Sequence, residues 1–247
     1  MNTLVHATHE RGITTLTLDS PHNRNALSAA LVQELADALK GSGKDDDVRA
    51  VVLTHTGTTF SAGADLRDPP QPKAVVSLFK QIIKLRKPVV ARVTGHVRAG
   101  GLGLLGACDI AAASATATFA FTEVRIGVAP ALISIPLLHR VDPRALARYY
   151  LTGETFGAAE AARIGLLSAA GEHTDVDEVL APVLDGLRRA APRALAETKR
   201  LLTAKVLEVF DLDWGEMARL SARMFASDDA REGMTAFLER RDPPWVL

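Results

Sequence analysis

The sequence predicts an α/β fold, and three observations carry that reading. Apolar, β-branched runs at residues 12–18, 50–54 and 89–93 have the length and composition of strands. Segments with helical spacing stand between them, from Ser28 to about Lys40 and over residues 75–86. A turn rich in small residues follows each of the last two strands. The order strand, helix, strand, helix, strand favours a layered α/β architecture with right-handed crossovers.

In chain order, residues 12–18 alternate as a half-buried strand does, and Val5 is placed on a hairpin partner. Residues 19–25 read as a loop. Ser28 is suited to N-cap the first helix, with Leu31, Leu35, Ala38 and Leu39 on one face. Residues 41–47 are polar and turn-like. The strand at 50–54 leads to Thr59-Phe60-Ser61-Ala62-Gly63-Ala64-Asp65-Leu66-Arg67, and a proline-rich loop at 68–72 precedes the second helix, which Pro88 ends. After the strand at 89–93 a second turn runs from Gly95 to Gly103 and enters a helix near Leu104. From about Pro192 the character changes. Residues 194–207, 213–225 and 229–240 read as amphipathic helices, closed by Asp242-Pro243-Pro244. Such helices must bury their apolar faces on the core or on a neighbour. The chain therefore divides into a core over 1–191 and a helical region over 192–247.

Composition limits the function. Lys plus Arg and Asp plus Glu both count 29, so the net charge is zero, which argues against a dedicated nucleic-acid or membrane-surface binder. The lone cysteine, Cys108, can form no intramolecular disulfide and fits a cytoplasmic location. The first residues, Met1 to His6, lack the basic and apolar regions of a signal peptide. The apolar run over 99–121 is interrupted by Asp109 and dominated by Gly and Ala, and reads as buried core rather than a membrane span. No His, Cys and carboxylate cluster has metal-ligand spacing.

Small residues in the two turns leave backbone N–H groups open to an approaching molecule, as in a hole that stabilises an oxyanion. Tight turns that merely pack are the other reading. No Walker lysine follows the second turn, and a dinucleotide site is discounted there.

The segments as a set resemble the crotonase superfamily, the enoyl-CoA hydratase/isomerase family. The likeness is carried by Asn23-Arg24-Asn25-Ala26-Leu27, by Phe60 to Leu66, and by Gly100-Gly101 followed by Ala107-Cys108-Asp109-Ile110. Residues 119–130, Leu151-Thr152-Gly153-Glu154, residues 158–167 and 227–240 agree, so the likeness covers nearly the whole chain. It implies a crotonase-like spiral of ββα units with a C-terminal helical domain. That domain would build a homotrimer or a dimer of trimers, with Phe225 and Phe237 near the active site of their own or an adjacent subunit.

The resemblance also assigns residues. The main-chain N–H groups of Ala64 and Gly100 would hold the thioester carbonyl of an acyl-CoA. Ala62, Gly63, Asp65 and Leu66 would line the adenine and pantetheine path, with Ala26 and Gly101 beside it. Arg24 would sit near the CoA phosphates, a plain surface arginine being the alternative. CoA is then part of the substrate, and no separate cofactor is implied. Glu123, in Thr122-Glu123-Val124-Arg125-Ile126-Gly127, matches the family segment that carries one catalytic glutamate; a glutamate paired with Arg125 is the bland alternative.

One departure matters. Two-glutamate hydratases carry a second glutamate where this chain has Gly103, and Ala131 stands where dienoyl-CoA isomerases place an aspartate. A single base suits moving a double bond between C3 and C2. Against that, residues 123–127, 130–134 and 148–154 are similar to bacterial methylglutaconyl-CoA hydratase-like members. The reading is a hydratase acting on a 2-enoyl-CoA. A single-base isomerase and an idle acyl-CoA binder are the alternatives. His96, His139 and Arg140 are read as structural, Asp109 as a buried or capping carboxylate, and Arg98 as a subunit-contact residue or a partner for an acidic acyl group.

Overall fold

After an opening hairpin, three pairs of strands divide between two sheets. The computed structural model describes residues 3–171 and 175–247, so Met1 and Asn2, the start of the segment read as lacking a leader, lie outside it. A hairpin opens the chain: β1 (Val5–Glu10) pairs antiparallel with β2 (Ile13–Leu18) across Arg11 and Gly12, both with positive φ. Helix α1 (Ala29–Lys44) follows, and the Ser28 hydroxyl caps it by accepting the Leu31 N–H.

A repeating unit then begins. The paired strands are β3 (Ala50–His55) with β4 (Thr59–Ser61), and β5 (Val89–Val93) with β6 (His96–Arg98). The third pair is β7 (Ile110–Ala113) with β8 (Thr118–Ala120). Helix α2 (Pro72–Lys84) closes the first unit and α3 (Gly100–Ala107) the second. The first strand of each pair enters the larger sheet and the second enters the smaller one. Then come α4 (Ala131–Leu137), α5 (Pro143–Thr152), β9 (Phe156–Gly157), α6 (Ala158–Arg163), β10 (Ala169–Ala170) and α7 (Val176–Arg189). Among the described residues the larger sheet has the order β1-β2-β3-β5-β7-β10 and the smaller β4-β6-β8-β9. Beyond the hairpin the larger sheet is parallel, and β4, β6 and β8 are parallel to one another. This is the spiral of ββα units expected above.

Helix α3 is apolar on every side, and Gly101 through Ala107 are all buried, so it forms the centre of the core. The chain ends in α8 (Pro192–Phe225) and α9 (Asp228–Glu239). Val206 and Phe210 of α8 belong to the same hydrophobic cluster as the strands. Lys199 is buried and forms an ion pair with Asp109 at 2.6 Å, while its Nζ also donates to the carbonyls of Ile82 and Lys87. Asp109 in turn accepts the Val89 N–H at 2.7 Å, which agrees with its reading as a buried carboxylate. No helix of the described residues is long and apolar enough to cross a membrane.

Several boundaries differ from expectation. Residues 41–44 are helical, because Ser42 turns its buried hydroxyl onto the Ala38 carbonyl rather than breaking the helix. Pro72 is the first residue of α2, a position where its missing N–H costs nothing, and the helix ends at Lys84, short of Pro88. The turn at 95–103 contains a strand and the start of α3. The two helices expected over 194–225 are one. Residues 208–212 hold no breaker, and Phe210 is fully buried there, which keeps the helix continuous.

Candidate active site

The three short parallel strands of the smaller sheet end at the same edge, and each delivers one candidate segment. After β4 come Ala62 to Asp65, after β6 come Ala99 to Gly101, and after β8 come Phe121 to Glu123. Ligand sites at the carboxyl ends of parallel strands are a general consequence of such sheets.

The first segment is held by the loop that precedes α1. Asn25 is fully buried with φ of 52°, and both polar atoms of its side chain are hydrogen-bonded. Its Oδ1 accepts the Ser20 N–H at 2.7 Å, and its Nδ2 donates to the carbonyls of Thr56 and Thr59. The Ala62 N–H then donates to the Arg24 carbonyl, Leu27 N–H to Gly63, and Asp65 N–H to Leu27. Residues 23–27 and 62–65, quoted separately in the sequence, thus form one paired unit. Arg24 is exposed on its rim. The Asp65 carboxylate is occupied inside this unit, accepting from Asn23 Nδ2 and from the Arg67 N–H.

The first and second turns touch. Gly63 has φ of 91°, and a Cβ there would stand 2.8 Å from Ala99 Cβ and 3.0 Å from the Gly100 nitrogen. The same closeness puts the Ala64 nitrogen 3.4 Å from the point where a Gly100 Cβ would lie. Among the described residues the Ala64 nitrogen donates to no backbone oxygen. Gly100 is the first residue of α3, so its N–H has no acceptor within the helix. Ala99, which precedes it, is held at φ 46° and ψ −123°, a region that favours glycine. Its N–H donates to Ala120, which ties the second turn to the third strand.

Glu123 opens a 3-10 turn, Glu123–Ile126, that ends at Gly127 in the left-handed region. It is 8% exposed, and its Oε2 is buried with no hydrogen-bond partner among the described residues. Burial pushes its carboxyl up to about 7, only partly offset by a hydrogen bond from its own backbone. The pairing with Arg125 does not occur: Arg125 Nε donates to the Thr152 carbonyl. Helix α9 backs this turn. Cβ atoms on Gly127 and Gly233 would stand 2.4 Å from the Asp229 carbonyl and 2.5 Å from the Ile126 carbonyl carbon, so backbone lies on backbone.

Position 103 is closed. A Cβ on Gly103 would stand 2.7 Å from both Phe79 Cζ and Ile133 Cγ2, so two apolar side chains occupy the space a second carboxylate would need. His96 is exposed and bonded to the Thr118 hydroxyl, and Arg98 donates to the Thr118 carbonyl and hydroxyl, so both brace β8. Sequence reasoning did not single out Asn25, Phe79, Ile133 or the seat of α9. Gly127 and Gly233 were the available signal for the last, since each stands in a quoted segment. Phe225 and Phe237 are exposed in the single chain.

Two sheets wound from ββα units, with the candidate turns at one edge of the smaller sheet, define the crotonase fold. The comparisons agree. The family described as enoyl-CoA hydratase/isomerase matches residues 8–246. The chain is 49% identical to an enoyl-CoA hydratase from Mycobacterium avium, with a TM-score of 0.91 and 100% of each chain covered. It is 30% identical to the (E)-benzylidenesuccinyl-CoA hydratase of Thauera aromatica over 92% of this chain and 93% of the relative. It is 28% identical to the 2,3-dehydroadipyl-CoA hydratase of Escherichia coli, with 92% of each covered. The chain belongs to the enoyl-CoA hydratase/isomerase family, and it is an acyl-CoA enzyme of that type.

Proposed function

We propose that this enzyme is a hydratase that adds water across the double bond of a 2-enoyl-CoA. The observation that carries the reading is Glu123, a buried, unpaired carboxyl poised near neutrality at the edge where the two turns meet. The names of the relatives, several of them CoA-thioester hydratases, support water as the co-substrate.

The N–H groups of Ala64 and Gly100 hold the thioester oxygen. Charge that moves onto that oxygen in the enolate is stabilised there, and one such donor is worth about 3–4 kcal/mol of barrier. Glu123 takes a proton from water as the water oxygen bonds to C3, and the electrons of the C2–C3 bond move to the thioester oxygen. The same carboxyl then returns the proton to C2, giving a 3-hydroxyacyl-CoA. Arg24, exposed beside the paired loops, contacts the CoA phosphates, and the backbone of Ala62 to Leu66, with Ala26 and Gly101, lines the path of the carrier. CoA arrives with the substrate, so this chemistry calls for no separate cofactor. Exposed Leu201, Leu202, Leu212, Trp214 and Phe225 on α8 support assembly into a homotrimer or a dimer of trimers.

The closed space at Gly103 favours a second reading, a single-base isomerase that shuttles a proton between C4 and C2. Turnover of 2-enoyl-CoA and 3-enoyl-CoA by the wild type and by Glu123→Gln separates the two. Hydration of the 2-enoyl substrate, lost in the variant, is the expected result. Product from the 3-enoyl substrate alone establishes the isomerase. Tight binding without turnover of either establishes an idle binder.

A further inference from the structure

Hydration needs a water that is held as well as deprotonated, and the usual second carboxylate has no room here. Helix α5, which packs on the turn that opens with Glu123, supplies another holder. Tyr150, on α5, packs its ring against Phe121 at a centroid distance of 4.6 Å, and Phe121 stands two residues before Glu123. The Ser134 hydroxyl, on α4, lies 3.4 Å from the Tyr150 hydroxyl and also donates to the Pro130 carbonyl at 2.7 Å. The Ser134 hydrogen is shared, with the Pro130 carbonyl as its main acceptor and the Tyr150 oxygen as its minor one. The hydrogen of Tyr150 is therefore available to a third party. Burial raises the Tyr150 phenol, the Ser134 hydrogen bond only partly offsets this, and the Glu123 carboxylate adds to the rise, so the phenol stays a donor throughout the neutral range.

We propose that Tyr150, steadied by Ser134, donates a hydrogen bond to the water whose proton Glu123 takes, so that a phenol does the orienting work of the absent second carboxylate. This rests on the hydratase reading above. A water in a buried site needs two or more polar partners. The Glu123 Oε2 offers an acceptor and the Tyr150 hydroxyl a donor, while Phe79 and Ile133 around position 103 offer neither. In the step, the water donates one hydrogen to Glu123 and accepts from Tyr150, which leaves an oxygen lone pair for C3. Tyr150 gives up no proton, so the balance of the reaction is unchanged. Tyr150 is a catalytic residue on this view, and Ser134 is a positioning residue.

The test uses Tyr150→Phe, which keeps the ring against Phe121, and two readouts on the full-length enzyme. One is hydration of a 2-enoyl-CoA. The other is deuterium exchange at C2 of a saturated acyl-CoA in D2O, which needs Glu123 and the enolate but no oriented nucleophile. A drop in hydration kcat of about 100-fold is expected, with KM changed less than twofold and exchange retained. Ser134→Ala should lower hydration about threefold to tenfold with the same retention, and it carries the test should Tyr150→Phe fail to fold. Hydration at the wild-type rate in the variants, or hydration and exchange falling together, overturns the assignment while the hydratase reading stands. A wild type that exchanges C2 but hydrates nothing overturns both.

Discussion

Phe79 fills the space into which a side chain at Gly103 would project, its Cζ 2.7 Å from the ideal Cβ position. The departure from the two-glutamate pattern is therefore built into the packing of α2 against α3. Installing the missing carboxylate alone does not restore it. Gly103→Ala should destabilise the fold, because overpacking costs about 1–3 kcal/mol, which exceeds the ~1 kcal/mol that alanine gains over glycine in a helix. Gly103→Glu should cost more and yield no gain in turnover. Urea midpoints at unchanged slope measure the first effect, and pairing Gly103→Ala with Phe79→Leu should recover part of it.

Glu123 ties stability to pH. Its folded-state value lies at about 7, above the ordinary 4.5. Between those values the folded chain holds a proton that the unfolded chain has released. Stability therefore falls as pH rises through this window, by about 3 kcal/mol once the group is fully ionised. Glu123→Gln removes the dependence. It should be more stable than the wild type at pH 8 and little different at pH 4.5, as read by urea unfolding at the two values. Its turnover should drop by about 10²–10⁴-fold.

The contact of α9 with the turn after Glu123 predicts an effect at a distance from the substrate. Gly233→Val places a branched side chain against the Ile126 backbone, where even a Cβ would lie within 2.5 Å. The turn must shift, and a displacement of ~1 Å at a reacting group can cost about 10²-fold. Loss of kcat with an unchanged far-UV circular dichroism spectrum is the expected outcome.

Lys199 and Asp109 join the C-terminal region to the strands. Burial pulls the lysine down and the carboxyl up, with each partner opposing the shift in the other. Lys199→Met leaves the Asp109 carboxylate without its cation and should cost about 3–5 kcal/mol. Adding Asp109→Asn, which keeps an acceptor for the Val89 N–H, should recover a large part of it in denaturation experiments.

The larger sheet was legible because its central strands are five or six residues of apolar, β-branched sequence. The smaller sheet was not: β4, β6 and β8 have three residues each, too few for a period to show. Ala64 and Gly100 were placed by the wording of their segments, and the structure brings their turns into contact. The isolation of Glu123 was beyond reach, because it depends on which neighbours α4, α5 and α9 bring to it from up to about a hundred residues away. Tyr150 was quoted within a matching segment, yet nothing local distinguishes a phenol that fills space from one that holds water.

The seat of α9 also sets an order of assembly. Ribosomes deliver the amide-bearing turns first and the helix that braces Glu123 last. A chain cut short before residue 228 would keep the two touching turns, while the turn that carries Glu123 lost its backing. On the proposed roles, such a fragment would bind CoA esters more readily than it converts them.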